Sequence, residues 1–283
     1  MSAHAGAAAG PAELLRRRVA DDPSSPLVTF YDDASGERVE LSARTFDNWV
    51  AKTANFLVDG LAAEPGTRVV LVLPPHWQTA VWLMACWSAG LVAEPVDPEA
   101  VRNGASAEPS GTSGPYILAA AQEVLDVIAD GAAAGGAEEF VGLSLHALGG
   151  PLADCPPGVT DYAVEVRAYG DRFVPGPQLP PETPALSVTK ATFSAGDLVG
   201  AARDAAEKWH LDARDRLLVD MPFTTLDGVL TGLLAPLASG ASVIIQRNFD
   251  KAVLERRVTL EHVTVVAGPP GRNEPSGSPR RLA

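Results

Sequence analysis

Apolar positions along this chain follow two rhythms. Residues 69–73, 91–96, 217–220, 241–246 and 263–267 are short, nearly continuous apolar runs. A run of that length reads as a strand buried on both faces, the habit of a parallel sheet. Between these runs apolar residues recur every three or four positions, as in an amphipathic helix. Residues 11–20 place Leu14, Leu15 and Val19 on one side, and residues 42–61 do the same with Phe46, Trp49, Val50, Ala54, Leu57 and Leu61. Residues 76–90, 194–209 and 226–238 are further helical runs, and Ser42 and Asp250 are side chains suited to open helices.

Two short runs, 27–31 and 38–41, flank Asp32, Asp33, Ser35 and Gly36, which are turn formers, so they predict a hairpin. Residues 116–119, 122–134 and 140–145 repeat the order strand, helix, strand. The stretch 146–181 is rich in Pro and Gly, and 162–167 is its one predicted strand. After a short strand at 186–188 the alternation resumes. Apolar strands alternating with helices predict an α/β fold of mostly parallel sheets covered by helices. The expected division is a first α/β subdomain over 11–181, a second over 182–268, and a Pro/Gly/Ser-rich tail without structure over 269–283.

The bulk composition narrows the function classes. With 283 residues, 46% of them hydrophobic and 20% charged, the chain is globular rather than disordered. A net charge of −13 opposes general binding to nucleic acid, yet leaves room for one bound nucleotide at a local loop or helix end. Cys86 lies in an apolar helical run and Cys155 in a Pro-rich loop; neither has a C-x-x-C partner, so zinc and dithiol chemistry find no support. The first residues show no basic segment followed by an apolar one, and the run 79–95 is interrupted by Ser88, Gly90 and Glu94. A cytoplasmic protein with no membrane contact is expected.

The five histidines are scattered, with no H-E-x-x-H. No G-x-S-x-G, G-x-x-x-x-G-K-[ST] or G-x-G-x-x-G occurs, which removes hydrolase-elbow, P-loop and dinucleotide-fingerprint readings. The stretches L-V-L-P-P-H-W-Q-T-A-V-W-L-M-A-C-W-S-A-G-L-V-A-E-P-V-D-P (71–98) and D-R-L-L-V-D-M-P-F-T-T-L-D-G-V-L-T-G-L-L-A-P-L-A-S-G-A-S-V-I-I-Q (215–246) carry a resemblance. Together they resemble the N-terminal part of adenylate-forming ligases, the superfamily of acyl-CoA synthetases, adenylation domains and luciferases.

The resemblance implies a phosphate loop of the form S-G-T-T-G-x-P-K-G between the two stretches. That place holds Ser187-Val-Thr-Lys-Ala-Thr192, so Thr189, Lys190 and Thr192 are the candidate cofactor-binding residues, read as part of a strand-to-helix turn. Pro184, Ala185 and Leu186 stand where glycines would let the backbone fold closely over phosphates. The S-G-T-S-G at 110–114 looks like such a loop but has no lysine and lies too early, and reads as a flexible connector. In the segment 221–228 the superfamily places a pocket-forming histidine or aromatic side chain; here Thr224 or Thr225 takes the histidine position, and Phe223 either walls a pocket or packs in the core. The adenine-stacking segment, the ribose-binding aspartate and the small C-terminal domain with its catalytic lysine have no counterpart in this sequence.

The resemblance therefore implies a short relative that is non-catalytic and binds a partner protein, at the face left by the missing half, or a small carboxylate, acyl or nucleotide ligand. The alternative is an ATP-dependent acyl-activating ligase with an atypical phosphate loop, using ATP or AMP with Mg²⁺.

Overall fold

The computed structural model describes residues 10–109, 114–130, 136–147, 149–177, 179–269, 275 and 279–282. In chain order its strands are β1 (Pro26–Asp32), β2 (Glu37–Ser42), β3 (Arg68–Val72), β4 (Val92–Val96), β5 (Tyr116–Ala121), β6 (Ala137–Leu143) and β7 (Thr160–Asp161). They continue with β8 (Pro184–Val188), β9 (Ala191–Ser194), β10 (Arg216–Val219), β11 (Ser242–Arg247), β12 (Val265–Ala267) and β13 (Arg280–Arg281). The first helices are α1 (Pro11–Asp21), α2 (Ala43–Asn55), α3 (Trp77–Ala89), α4 (Pro98–Arg102) and α5 (Leu125–Asp130). After them come α6 (Tyr162–Glu165), α7 (Ala195–Lys208), α8 (Leu226–Val229), α9 (Ala235–Ser239) and α10 (Leu254–Leu260).

The strands form two sheets, ordered β13-β12-β10-β11-β1-β2 and β7-β6-β5-β3-β4-β8-β9. The five apolar runs are β3, β4, β10, β11 and β12. Each pairs in parallel with its neighbours, as in Leu71 with Pro95 and Leu218 with Val266. Among the described residues, only the hairpins β1–β2 and β8–β9 are antiparallel. The fold is thus α/β with mostly parallel sheets flanked by helices. The sheets do not separate at 181/182. The N-terminal hairpin joins the sheet of β10–β13 through β1 and β11, and β8–β9 completes the sheet of β3–β7. Periodicity sets what kind of element a segment becomes; which strand it meets is set by the folded neighbours.

Helix α3 holds the two sheets together. It is buried from Trp77 to Trp87 and touches β1 of one sheet and β4 of the other. A helix apolar on all sides needs such double coverage. Its start is capped by His76, its end by Gly90 in the left-handed conformation. Ser42 and Ser194 cap α2 and α7 through side-chain acceptors, the latter in a reciprocal capping box with Asp197. Asp250 opens the turn before α10 as its side chain predicts.

Two local expectations change. Residues 162–167 form α6 and a following 3₁₀ turn rather than a strand. Asp161 Oδ1 accepts the backbone N–H groups of Ala163 and Val164, and this cap outweighs the β-branched Val164 and Val166. In the tail, β13 pairs in parallel with β12, and Arg280 reaches Asp215 at 2.9 Å. Of the flexible connector expected at 110–114, residues 110–113 lie outside the described residues. Among those described, no helix is long and apolar enough to cross a membrane.

Candidate functional site

The expected phosphate-loop segment lies in the β8–β9 hairpin, not between a strand and a helix. Val188 pairs with Ala191, so Thr189 and Lys190 alone make the turn. Both have positive φ, 50° and 65°, as a two-residue hairpin turn with matching twist requires. For a β-branched threonine this is a strained conformation. Thr192 sits in β9, the outermost strand of its sheet, and the helix begins only after Ser194. The side chains of Thr189, Lys190 and Thr192 are exposed. The strands pair right up to the turn, which leaves no glycine loop to wrap backbone donors around a phosphate. The three residues are close in sequence, but they do not form a concave site.

The 221–228 segment is also structural. Phe223 is buried, and its ring lies 2.8 Å from where a side chain on Gly232 would begin. It packs in the core. Thr225 caps α8 by accepting the Gly228 N–H at 3.1 Å, and Thr224 is half-buried beside it. A side chain at Gly228 would begin 1.8 Å from the Pro222 carbonyl oxygen, so only glycine permits this tight approach.

A third polar group is assembled from distant segments. At the carboxyl ends of the parallel strands lie Asp32 (β1), His76 (after β3), Glu123 (after β5), His146 (after β6) and Arg247 (β11), with Glu37 at the start of β2. Ligands of open α/β sheets occupy such crevices. Arg247 pairs with Glu123 at 2.5 Å, and Asn248 donates to Asp32 at 2.9 Å. His76 is fully buried and stacks edge-on against Phe30. Its Nδ1 accepts the Gln78 N–H at 3.1 Å, so the ring hydrogen belongs on Nε2. Nε2 has no hydrogen-bond partner and faces Glu37 Oε1, also unpaired, at 4.0 Å. Burial, reinforced by the Arg247 charge, holds His76 well below the usual imidazole range. Burial raises the Glu37 carboxyl, with Asp32 adding to the effect and His146 and Arg247 opposing it. Perturbed groups in a crevice mark a candidate site. In the sequence these histidines are scattered, and no spacing signals their meeting. Among the described residues, no three His, Cys, Asp or Glu side chains are grouped to hold a metal ion.

The fold and these segments can be set beside known proteins. The model of the AMP-binding enzyme family matches residues 15–124. A Mycobacterium tuberculosis protein described as a TIGR03089 family protein is 40% identical over 245 residues, which cover 87% of this chain and 92% of that protein. An indoleacetate–CoA ligase of Aromatoleum aromaticum is 29% identical over 122 residues, 38% of this chain and 24% of the ligase. Among solved structures, an acyl-CoA synthetase of Brucella canis superposes with a TM-score of 0.75 at 16% identity, covering 92% of this chain and 47% of that one. An acetoacetyl-CoA synthetase of Streptomyces lividans gives 0.73 at 17%, covering 91% and 42%. The chain spans less than half the length of both synthetases, and at these identities the likeness is one of fold.

Proposed function

Since the chain belongs to the family of the M. tuberculosis TIGR03089 family protein, within the adenylate-forming superfamily, we propose that it binds a small acyl or nucleotide ligand or a partner protein and does not itself form acyl-adenylates. The observation that carries this reading is the two-residue turn at Thr189–Lys190. Adenylation develops charge on a phosphate and depends on donors already placed around it; loss of one such donor costs roughly 3 kcal/mol. ATP or AMP with Mg²⁺, which the superfamily implies, does not fit an exposed turn on an outermost strand. Lys190 there is a single charge on a flexible stem.

The test is ATP–pyrophosphate exchange with fatty, aryl and amino acids. Background exchange, equal in the native chain and in Lys190→Ala, is expected. Robust exchange abolished by Lys190→Ala would overturn the reading. It would favour the second one, an ATP-dependent acyl-activating ligase with Lys190 as its phosphate lysine, which the partial match to an indoleacetate–CoA ligase keeps in view.

A further inference from the structure

A cavity of about 1020 Å³ opens at the end of the molecule away from the crevice and the Thr189–Lys190 turn. It lies at the start of β8, whose far end leads into that turn, and at the end of α3, whose start is His76. Trp87 lines it, buried and fixed by donation of its indole N–H to the Ala185 carbonyl at 2.9 Å. Pro175, Pro177 and Pro180 line it from the arm that precedes β8, and Leu179 seats this arm on Gly90. Gly90 has a left-handed φ of 75°, and a side chain there would begin 2.3 Å from Leu179 Cδ1. The contact therefore needs a glycine twice over, once for conformation and once for space. Proline rings and a pinned indole have little freedom to lose, so these walls are in place before a ligand arrives.

The lining has no charge to spare. Its charged side chains are all on α1, and Glu13, Arg16, Arg17 and Asp21 sum to zero. Arg16 donates to Glu13 Oε2 through Nε, at 2.9 Å, and Nη2, at 2.7 Å, while Arg17 Nε reaches Oε1 at 3.3 Å. An anion entering here would give up its water without meeting a free cation. Asp21 is exposed, so a ligand cation would gain little from it. Of the two side-chain hydroxyls in the lining, that of Ser88 donates to the Met84 carbonyl at 2.7 Å. Thr183 is half-buried, and its hydroxyl has no partner among the described residues. Its backbone carbonyl accepts the Ala195 N–H at 2.9 Å, which fixes it between β8 and the start of α7. The cavity thus offers apolar surface and one uncommitted neutral hydroxyl.

We infer that this cavity binds an uncharged fused-ring compound carrying one hydroxyl or carbonyl oxygen, its rings against Trp87 and the prolines and its oxygen on the Thr183 hydroxyl. The volume lies at the upper end of small-molecule sites and has room for several fused rings. Flat indole and proline surfaces suit rings, and a rigid ligand loses less freedom on binding than a flexible chain does. The site requires neither a carboxylate nor a nucleotide, so it stands apart from the reading above.

Fluorescence anisotropy of hydroxypyrene, pyrene and pyrenecarboxylate is followed as the full chain is added, with hexadecanol as a displacing competitor. Saturable binding of hydroxypyrene is expected, about tenfold tighter than that of pyrenecarboxylate, a difference of about 1.4 kcal/mol. Thr183→Val should weaken hydroxypyrene about fivefold, the worth of one net hydrogen bond, and leave pyrene unchanged. Ala89→Trp and, independently, Ala12→Trp should fill the cavity and abolish binding while circular dichroism stays native. Absence of saturable hydroxypyrene binding overturns the proposal, as does binding that survives both filling variants. Pyrenecarboxylate binding as tightly as hydroxypyrene overturns the uncharged class. Hexadecanol binding more tightly than hydroxypyrene overturns the assignment to rings, and indifference to Thr183→Val overturns the place of the oxygen. Pyrophosphate exchange, positive or negative, leaves each of these outcomes standing, so this failure and that of the non-catalytic reading are distinguishable.

Discussion

The Thr189–Lys190 turn and the Glu37–His76 crevice both lie at the carboxyl ends of strands, and they differ in nearly every other respect. The turn is contiguous in sequence, exposed, and closes the β8–β9 hairpin. The crevice is drawn from five strand ends of both sheets, and its histidine is fully buried with an unpaired Nε2 facing an unpaired carboxylate oxygen. Motif position alone favours the first; burial and unsatisfied polar atoms favour the second. Proximity along the chain brings residues together cheaply but does not enclose them, and enclosure is what gives a polar group an unusual energy.

The largest expected contrast is in stability. His76→Ala should cost roughly 3 kcal/mol, from the lost helix cap and the cavity left by a buried ring. Lys190→Ala should change stability by less than about 0.5 kcal/mol, as surface substitutions do. Urea midpoints measure both, and equal effects would erase the distinction between the regions. The crevice should also respond to pH. The folded state favours neutral His76, so its contribution is complete above the ordinary imidazole value of 6.5 and is lost as pH falls below it. The native chain should lose stability between neutral pH and pH 5 more steeply than His76→Gln; parallel curves would show that His76 is not held neutral.

A smaller effect is expected at the turn. Thr189→Asn with Lys190→Gly places favoured residues at two positive-φ positions and should raise stability by about 1 kcal/mol. A loss instead would mean that the native side chains make contacts that matter. The smallest effect concerns Glu37. Its carboxyl is raised in the folded state, so its favourable contribution is complete below 4.5 and is lost as pH rises through the folded value. Glu37→Gln should therefore stabilise the chain at pH 7 by less than about 1 kcal/mol, reduced by screening on its open side, and by nothing at pH 4. A gain independent of pH would point to packing rather than charge.

Much of this molecule could be read from local patterns. The apolar runs at β3, β4, β10, β11 and β12 become parallel strands, because a strand buried on both faces must be apolar throughout. Ser42, Ser194 and Asp250 open turns of helix because their side chains accept nearby N–H groups wherever the chain goes next. Partners were settled elsewhere. That β1 pairs with β11, more than two hundred residues away, depends on long-range packing that periodicity does not encode. The candidate loop at 187–192 became a hairpin because β9 found an edge beside β8. His76 was legible as a residue between two prolines and a helix. Its burial and its meeting with Glu37 arose only when β1 and β2 closed over the start of α3, since the surroundings that shift a titrating group are spatial neighbours, not sequence neighbours.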